Sequence, residues 1–133
     1  MPSSSLIVNS EYQDLLHHVG ETLENGRAKA VAAVNSAVVA TYWEIGRDIV
    51  EFEQAGNAKA EYGTELLKRL SRDLTDAYGK GFSHSNLIYM RKLYLTYPKS
   101  QTLSDFLSWS QYIELLKIDD PLERSFYEKE AES

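Results

Sequence analysis

Proline stands at positions 2, 98 and 121 and nowhere else, so uninterrupted helix is permitted over most of the chain. Within that span apolar residues recur at steps of three and four, the helical period. Leu15, Leu16, Val19 and Leu23 mark one face, and after Gly26 the pattern resumes with Val31, Val34, Val38, Tyr42, Ile45, Ile49 and Phe52. This predicts a first helix from about Asn9 or Ser10 to Gln54, broken or kinked near Asn25-Gly26 and stopped at Gly56-Asn57. Residues 1–8 read as a disordered polar lead. Val31, Val38, Ile45 and Phe52 recur every seventh position, as in a coiled-coil seam, which makes them the candidate interface of a homodimer.

A second helix is predicted from about Ala60 to Tyr78, with Leu66, Leu67, Leu70, Leu74 and Tyr78 as its apolar stripe. Gly79 and Gly81 then permit the left-handed backbone that a sharp reversal needs. Ser83 is a good N-cap for a third helix, which Pro98 limits to about Tyr97. Its inward face is Leu87, Met90, Leu93, Tyr94 and Tyr97. Two short helices complete the chain: Gln111 to Lys117, with Ser110 as its cap, and Leu122 to about Ala131, with Pro121 at its first position. No segment alternates as a strand does, so the fold class is all-α, in a single domain over 1–133.

The Tyr42-Trp43-Glu44-Ile45-Gly46 string sets two large rings beside a glycine that allows close helix approach. There is no cysteine, which excludes disulfides and thiolate metal sites. The three histidines, His17, His18 and His84, have no spacing suited to joint ligation. No phosphate-cradling glycine loop, nucleophile elbow or EF-hand loop occurs, so neither catalytic residue, metal nor cofactor is expected. No apolar run is long enough to span a membrane, and a cytoplasmic location is the simplest expectation.

Net charge is −6 but unevenly spread. Lys59 to Lys92 holds seven Lys/Arg and four Asp/Glu, a local balance of +3 that leaves −9 on the remainder. That basic middle coincides with the helix–glycine turn–helix from Glu61 to Tyr97, the outline of a helix-turn-helix. In such a motif the second helix presents its first residues to base edges, here Ser83, His84, Ser85, Asn86 and Tyr89, with Arg91 and Lys92 further along. Lys68, Arg69, Arg72 and Lys80 would meet phosphates. An ordinary helical hairpin with a polar outer face has the same pattern.

Several strings occur together: Ala33-Val-Asn35, Tyr42-Trp-Glu-Ile-Gly-Arg47, Ala60-Glu-Tyr-Gly63, Gly79-Lys-Gly-Phe-Ser83, Leu107-Ser-Trp-Ser110 and Arg124-Ser-Phe-Tyr127. In this order they resemble the N-terminal domain of the YhcG-like bacterial proteins, over about Tyr12 to Ala131. The resemblance implies a nucleic-acid-processing context and a C-terminal nuclease-like partner domain of the PDDEXK type. It carries no catalysis onto this chain. That chemistry uses an Asp/Glu-x-Lys element, and no lysine here has an acidic residue two positions before it. The expectation is a non-catalytic DNA-binding or targeting module that lacks the nuclease domain. The alternative is a protein-interaction or dimerisation module built on residues 28–53.

Overall fold

The computed structural model describes residues 2–56 and 65–133, with side chains from residue 9 onward. The predicted opening of the second helix, Ala60 to Thr64, lies outside the described residues, as do Lys59 and Glu61. The described fold is all-α: α1 (Pro2–Gln54), α2 (Leu66–Tyr78), α3 (His84–Thr96), α4 (Trp109–Leu116) and α5 (Pro121–Glu132), with a 3-10 turn at Ser100–Thr102 between α3 and α4. It divides into two compact units, Met1–Val34 and Asn35–Ser133. Among the described residues no helix is long and apolar enough to cross a membrane.

The first unit is helix alone. α1 begins at Pro2, ahead of the predicted start at Asn9 or Ser10, and so includes positions where a disordered lead is expected. It also runs through Gly26 without interruption, which corrects the predicted break. Neither Gly20 nor Gly26 adopts positive φ. Each costs the helix about 1 kcal/mol relative to alanine, a penalty that the Ala, Leu and Glu residues around them absorb. Tyr12, Leu15, Leu16, Val19, Leu23 and Val31 stay largely exposed.

The second unit is organised by a close helix crossing. Val39, Trp43, Ile49 and Val50 on α1 are buried. Gly46 lies among them, and a Cβ there would overlap the Met90 carbonyl oxygen and sit 2.7 Å from its carbon. α3 is the central element, with Leu87, Met90 and Leu93 fully buried. Leu87 and Met90 join Ile49 in one cluster. Leu93 joins Val39, Trp43, Leu107, Tyr112 and Leu116 in the other. The Trp43 indole N–H donates to the Tyr97 carbonyl at 2.7 Å, fixing the ring at the end of α3.

Helix ends follow local chemistry. α4 starts at Trp109, not Gln111, and its cap is Ser108, which corrects Ser110. Ser108 Oγ accepts from the Gln111 N–H while the Gln111 side chain returns a bond to the Ser108 N–H. A cap at Ser110 would put Ile113 in the reciprocating position, which a hydrocarbon cannot fill. Asp120 caps α5, and Pro121 takes its first position as predicted. Of the predicted apolar stripe of α2, Leu66, Leu67, Leu70 and Leu74 are half-buried, whereas Tyr78 is 74% exposed at the helix end.

Where α3 ends, aromatic hydroxyls meet an acidic helix. Tyr112 is fully buried, its hydroxyl accepts from the Ser104 N–H at 2.7 Å, and burial pushes its phenol up to about 12. The Tyr97 hydroxyl is buried near the Glu128 carboxylate without hydrogen-bonding geometry, and burial followed by that charge raises its phenol further. Burial, and then the neighbouring Glu132, hold Glu128 above the ordinary carboxylate range.

Two predictions follow from this packing. Gly46→Ala forces α1 and α3 apart and should cost at least about 2 kcal/mol in denaturant unfolding. Gly20→Ala, with nothing within 4 Å of the added methyl, should leave stability unchanged or raise it. Equal effects of the two would refute the crossing. The second concerns pH. Glu128 binds its proton more tightly folded than unfolded, so its contribution falls as pH rises from the ordinary value of 4.5 toward the raised folded value. Glu128→Gln should remove that loss, giving a variant whose advantage grows through this window and then levels. Parallel pH profiles of the two proteins would contradict it.

Candidate nucleic-acid interface

The predicted hairpin is present over its described length. α2 ends at Gly79 (φ 87°), and the chain reverses through Gly81 (φ 107°) into α3. Ser83 caps α3, its Oγ accepting from the Asn86 N–H at 3.1 Å. The turn is held from both sides. The Ser71 hydroxyl donates to the Phe82 carbonyl at 2.7 Å. The Asn86 side-chain amide donates to the Gly81 carbonyl at 3.0 Å and accepts weakly from the Trp109 indole at 3.4 Å.

The residues proposed from sequence to touch nucleic acid separate into two groups. Lys68, Arg69, Arg72 and Lys80 are exposed, as are Ser83, His84 and Ser85 at the start of α3. Lys68 lies 3.7 Å from Glu65, and Arg69 lies 3.9 Å from Asp73. Such solvated pairs are weak and yield readily to a polyanion. Among the described residues, Arg72 and Lys80 enter no ion pair. This group therefore sets four cations on α2 and the turn, interleaved with Glu65, Asp73 and Asp76, beside the Ser83-capped N-terminus of α3, where the remaining backbone N–H groups favour an anion.

The second group is spent within the fold. Asn86 is half-buried and staples the turn, so its amide is not open to an adenine edge. Tyr89 is half-buried against the core. Arg91 donates from Nε to Glu53 at 2.6 Å, tying α3 to the end of α1. Lys92 is half-buried and lies 3.7 Å from the almost fully exposed Asp119, a pair as weak as those on α2, so it is the least committed of this group. Pairing of Arg91 with Glu53 was not legible from sequence, because it joins residues 38 positions apart. The heptad residues divide likewise: Val31 is exposed, Val38 is half-buried, Ile45 packs on the Ile49 cluster, and Phe52 lines a groove.

That groove was not anticipated. It encloses about 570 Å³ and is floored by Ile45, Ile49, Phe52, Leu70 and Phe82, with Asp48, Arg69 and Asp73 among its polar residues. The signal for it in the sequence was the strongly one-sided stripe of α2, none of whose residues is fully buried. Among the described residues, no three His, Cys, Asp or Glu side chains converge as a metal site would need.

A family model described as the DUF1016 N-terminal domain matches residues 18–133. The chain belongs to the DUF1016 N-terminal domain family. It is similar to the protein named "Putative nuclease YhcG" of Escherichia coli (strain K12), 37% identical over 163 aligned positions that cover 98% of this chain and 44% of that relative. The chain thus spans less than half the length of the curated relative it matches. No solved structure matches it. This DUF1016 N-terminal domain accordingly places its glycine turn and the exposed start of α3 in the part of the chain that the family model covers.

Asn86→Ala tests the division between exposed and structural residues. It removes the bonds to Gly81 and Trp109 and should cost about 1–2 kcal/mol in urea unfolding. No loss of stability would return Asn86 to the set of available contacts.

Proposed function

We propose that this domain is a non-catalytic DNA-binding module that targets a nuclease, with the contact surface on Lys68, Arg69, Arg72, Lys80, Ser83, His84 and Ser85. The observation that carries the reading is the joint exposure of Arg72, Lys80 and the first turn of α3 around the glycine reversal. The arrangement offers cations for phosphates and small polar donors at a helix start. The relative's name supplies the context, since a nuclease acts on nucleic acid. Catalysis would reside in a separate C-terminal nuclease-like domain, and Asn86, Tyr89 and Arg91 would hold the binding helix in place. The excess of acidic residues elsewhere would confine DNA to this surface.

The test is fluorescence anisotropy of a labelled DNA duplex at low and moderate salt. Binding should weaken steeply with salt, and Arg72→Glu with Lys80→Glu should reduce affinity at least about tenfold by removing two phosphate contacts. These positions are preferable to Arg91, whose reversal would set a carboxylate against Glu53 and confound binding with folding. Absence of salt-sensitive binding would refute the proposal. The exposed apolar residues of the first unit favour a second, compatible role in protein association.

A further inference from the structure

We propose that Ile88 reads the 5-methyl group of thymine in the major groove, so that the partner of the α3 N-terminus is thymine-bearing duplex DNA and not RNA. The inference rests on the DNA reading above and adds a residue and a base to it. Ile88 is 41% exposed and lies one helical turn behind His84 and Ser85.

α3 has one face in the core and one in water. Leu87, Met90 and Leu93 are fully buried. Away from them, Ser85, Ile88, Lys92 and Leu95 follow at steps of three, four and three, the spacing of neighbours on one helical stripe. Helical side chains lean toward the N-terminus of their helix. Ile88 therefore covers the surface beside His84 and Ser85, within the turn assigned to base edges. A lone exposed apolar residue is ordinary on a protein surface. Ile88 is distinguished by its position, as the first exposed apolar side chain behind the polar donors of that turn.

Charge limits how far a duplex can lie along the stripe. Lys92 lies 3.7 Å from Asp119, and Asp120 follows in the chain. These exposed carboxylates repel phosphates at the second half of α3. Leu95, beyond Lys92, is thereby kept from the contact. Ile88 is left as the exposed apolar residue of α3 on the side of Lys80 and the glycine turn.

Chemistry then selects the base. An isoleucine side chain can neither donate nor accept a hydrogen bond, and covering a polar base edge would strip that edge of water without return. In the major groove thymine alone presents an apolar group, its 5-methyl, whereas the other bases present donors and acceptors. Uracil lacks that methyl, and the major groove of an RNA duplex is too deep and narrow for side chains to read. Phosphate contacts and the donors of the first turn would set the register, and Ile88 would add the preference.

The test uses two alternating duplex polymers, poly(dA-dT) and poly(dA-dU), which differ only in that methyl. Competition against a labelled DNA duplex should show about fourfold tighter binding of poly(dA-dT) at matched salt, the gain from burying one methyl-sized group. Ile88→Ala should lower the affinity for poly(dA-dT) to that for poly(dA-dU) and leave the latter unchanged. The site is exposed and alanine favours helix, so far-UV circular dichroism should be unaltered. Ile88→Val, which retains a branched apolar side chain, should keep most of the preference. Equal, salt-sensitive binding of the two polymers would overturn the inference and leave the DNA reading in place, as would a preference that survives Ile88→Ala. Absence of salt-sensitive binding to either polymer would overturn the DNA reading itself, and this inference with it.

Discussion

The backbone contact between Gly46 of α1 and Met90 of α3 limits every other feature of the second unit. With no side chain at 46, the two helices approach until backbone meets backbone, and Trp43 and Ile49 on either side of the glycine sink into the core. That approach lets a single short helix, α3, face α1 with Leu87, Met90 and Leu93 all fully buried. The Arg91–Glu53 bond then ties the same two helices on the polar side. α3 is thereby oriented by α1, not by the α2 hairpin alone.

This arrangement explains why the candidate interface is confined to the beginning of α3. A helix that gives three residues to the core, and Asn86, Tyr89 and Arg91 to supporting contacts, retains only a narrow free face. Its open polar positions are those of the first turn, next in the chain to Lys80, and its other exposed positions, Ile88 and Leu95, are apolar. A contact at that turn would rely on phosphates and helix-terminal donors more than on a long array of base-reading side chains. Under the proposed function, this domain would position the protein on DNA and a separate domain would perform the chemistry.

Much of the fold was legible from periodicity and punctuation. The sparse prolines, the Gly79/Gly81 pair, Ser83 and Pro121 marked their elements because each acts through its own backbone. The tight approach at Gly46 was signalled by the glycine between large apolar side chains. Other features depended on partners distant in sequence. Periodicity could not distinguish Tyr78, exposed at the end of α2, from the leucines before it. Nor could it show that Asn86 would be consumed by Gly81 and Trp109, because an amide suited to a base edge is equally suited to stapling a turn. Gly26 misled for a different reason: a local helix penalty of about 1 kcal/mol is small beside the cooperativity of a long helix.

The central claim is that the glycine turn and the α3 N-terminus meet DNA. Its most direct test is an amide chemical-shift titration of the domain with a DNA duplex. The account predicts that shifts concentrate on Arg72 and on Lys80 to Ser85, and diminish as salt is raised. Shifts confined to Tyr12–Val34, or none at all, would contradict it.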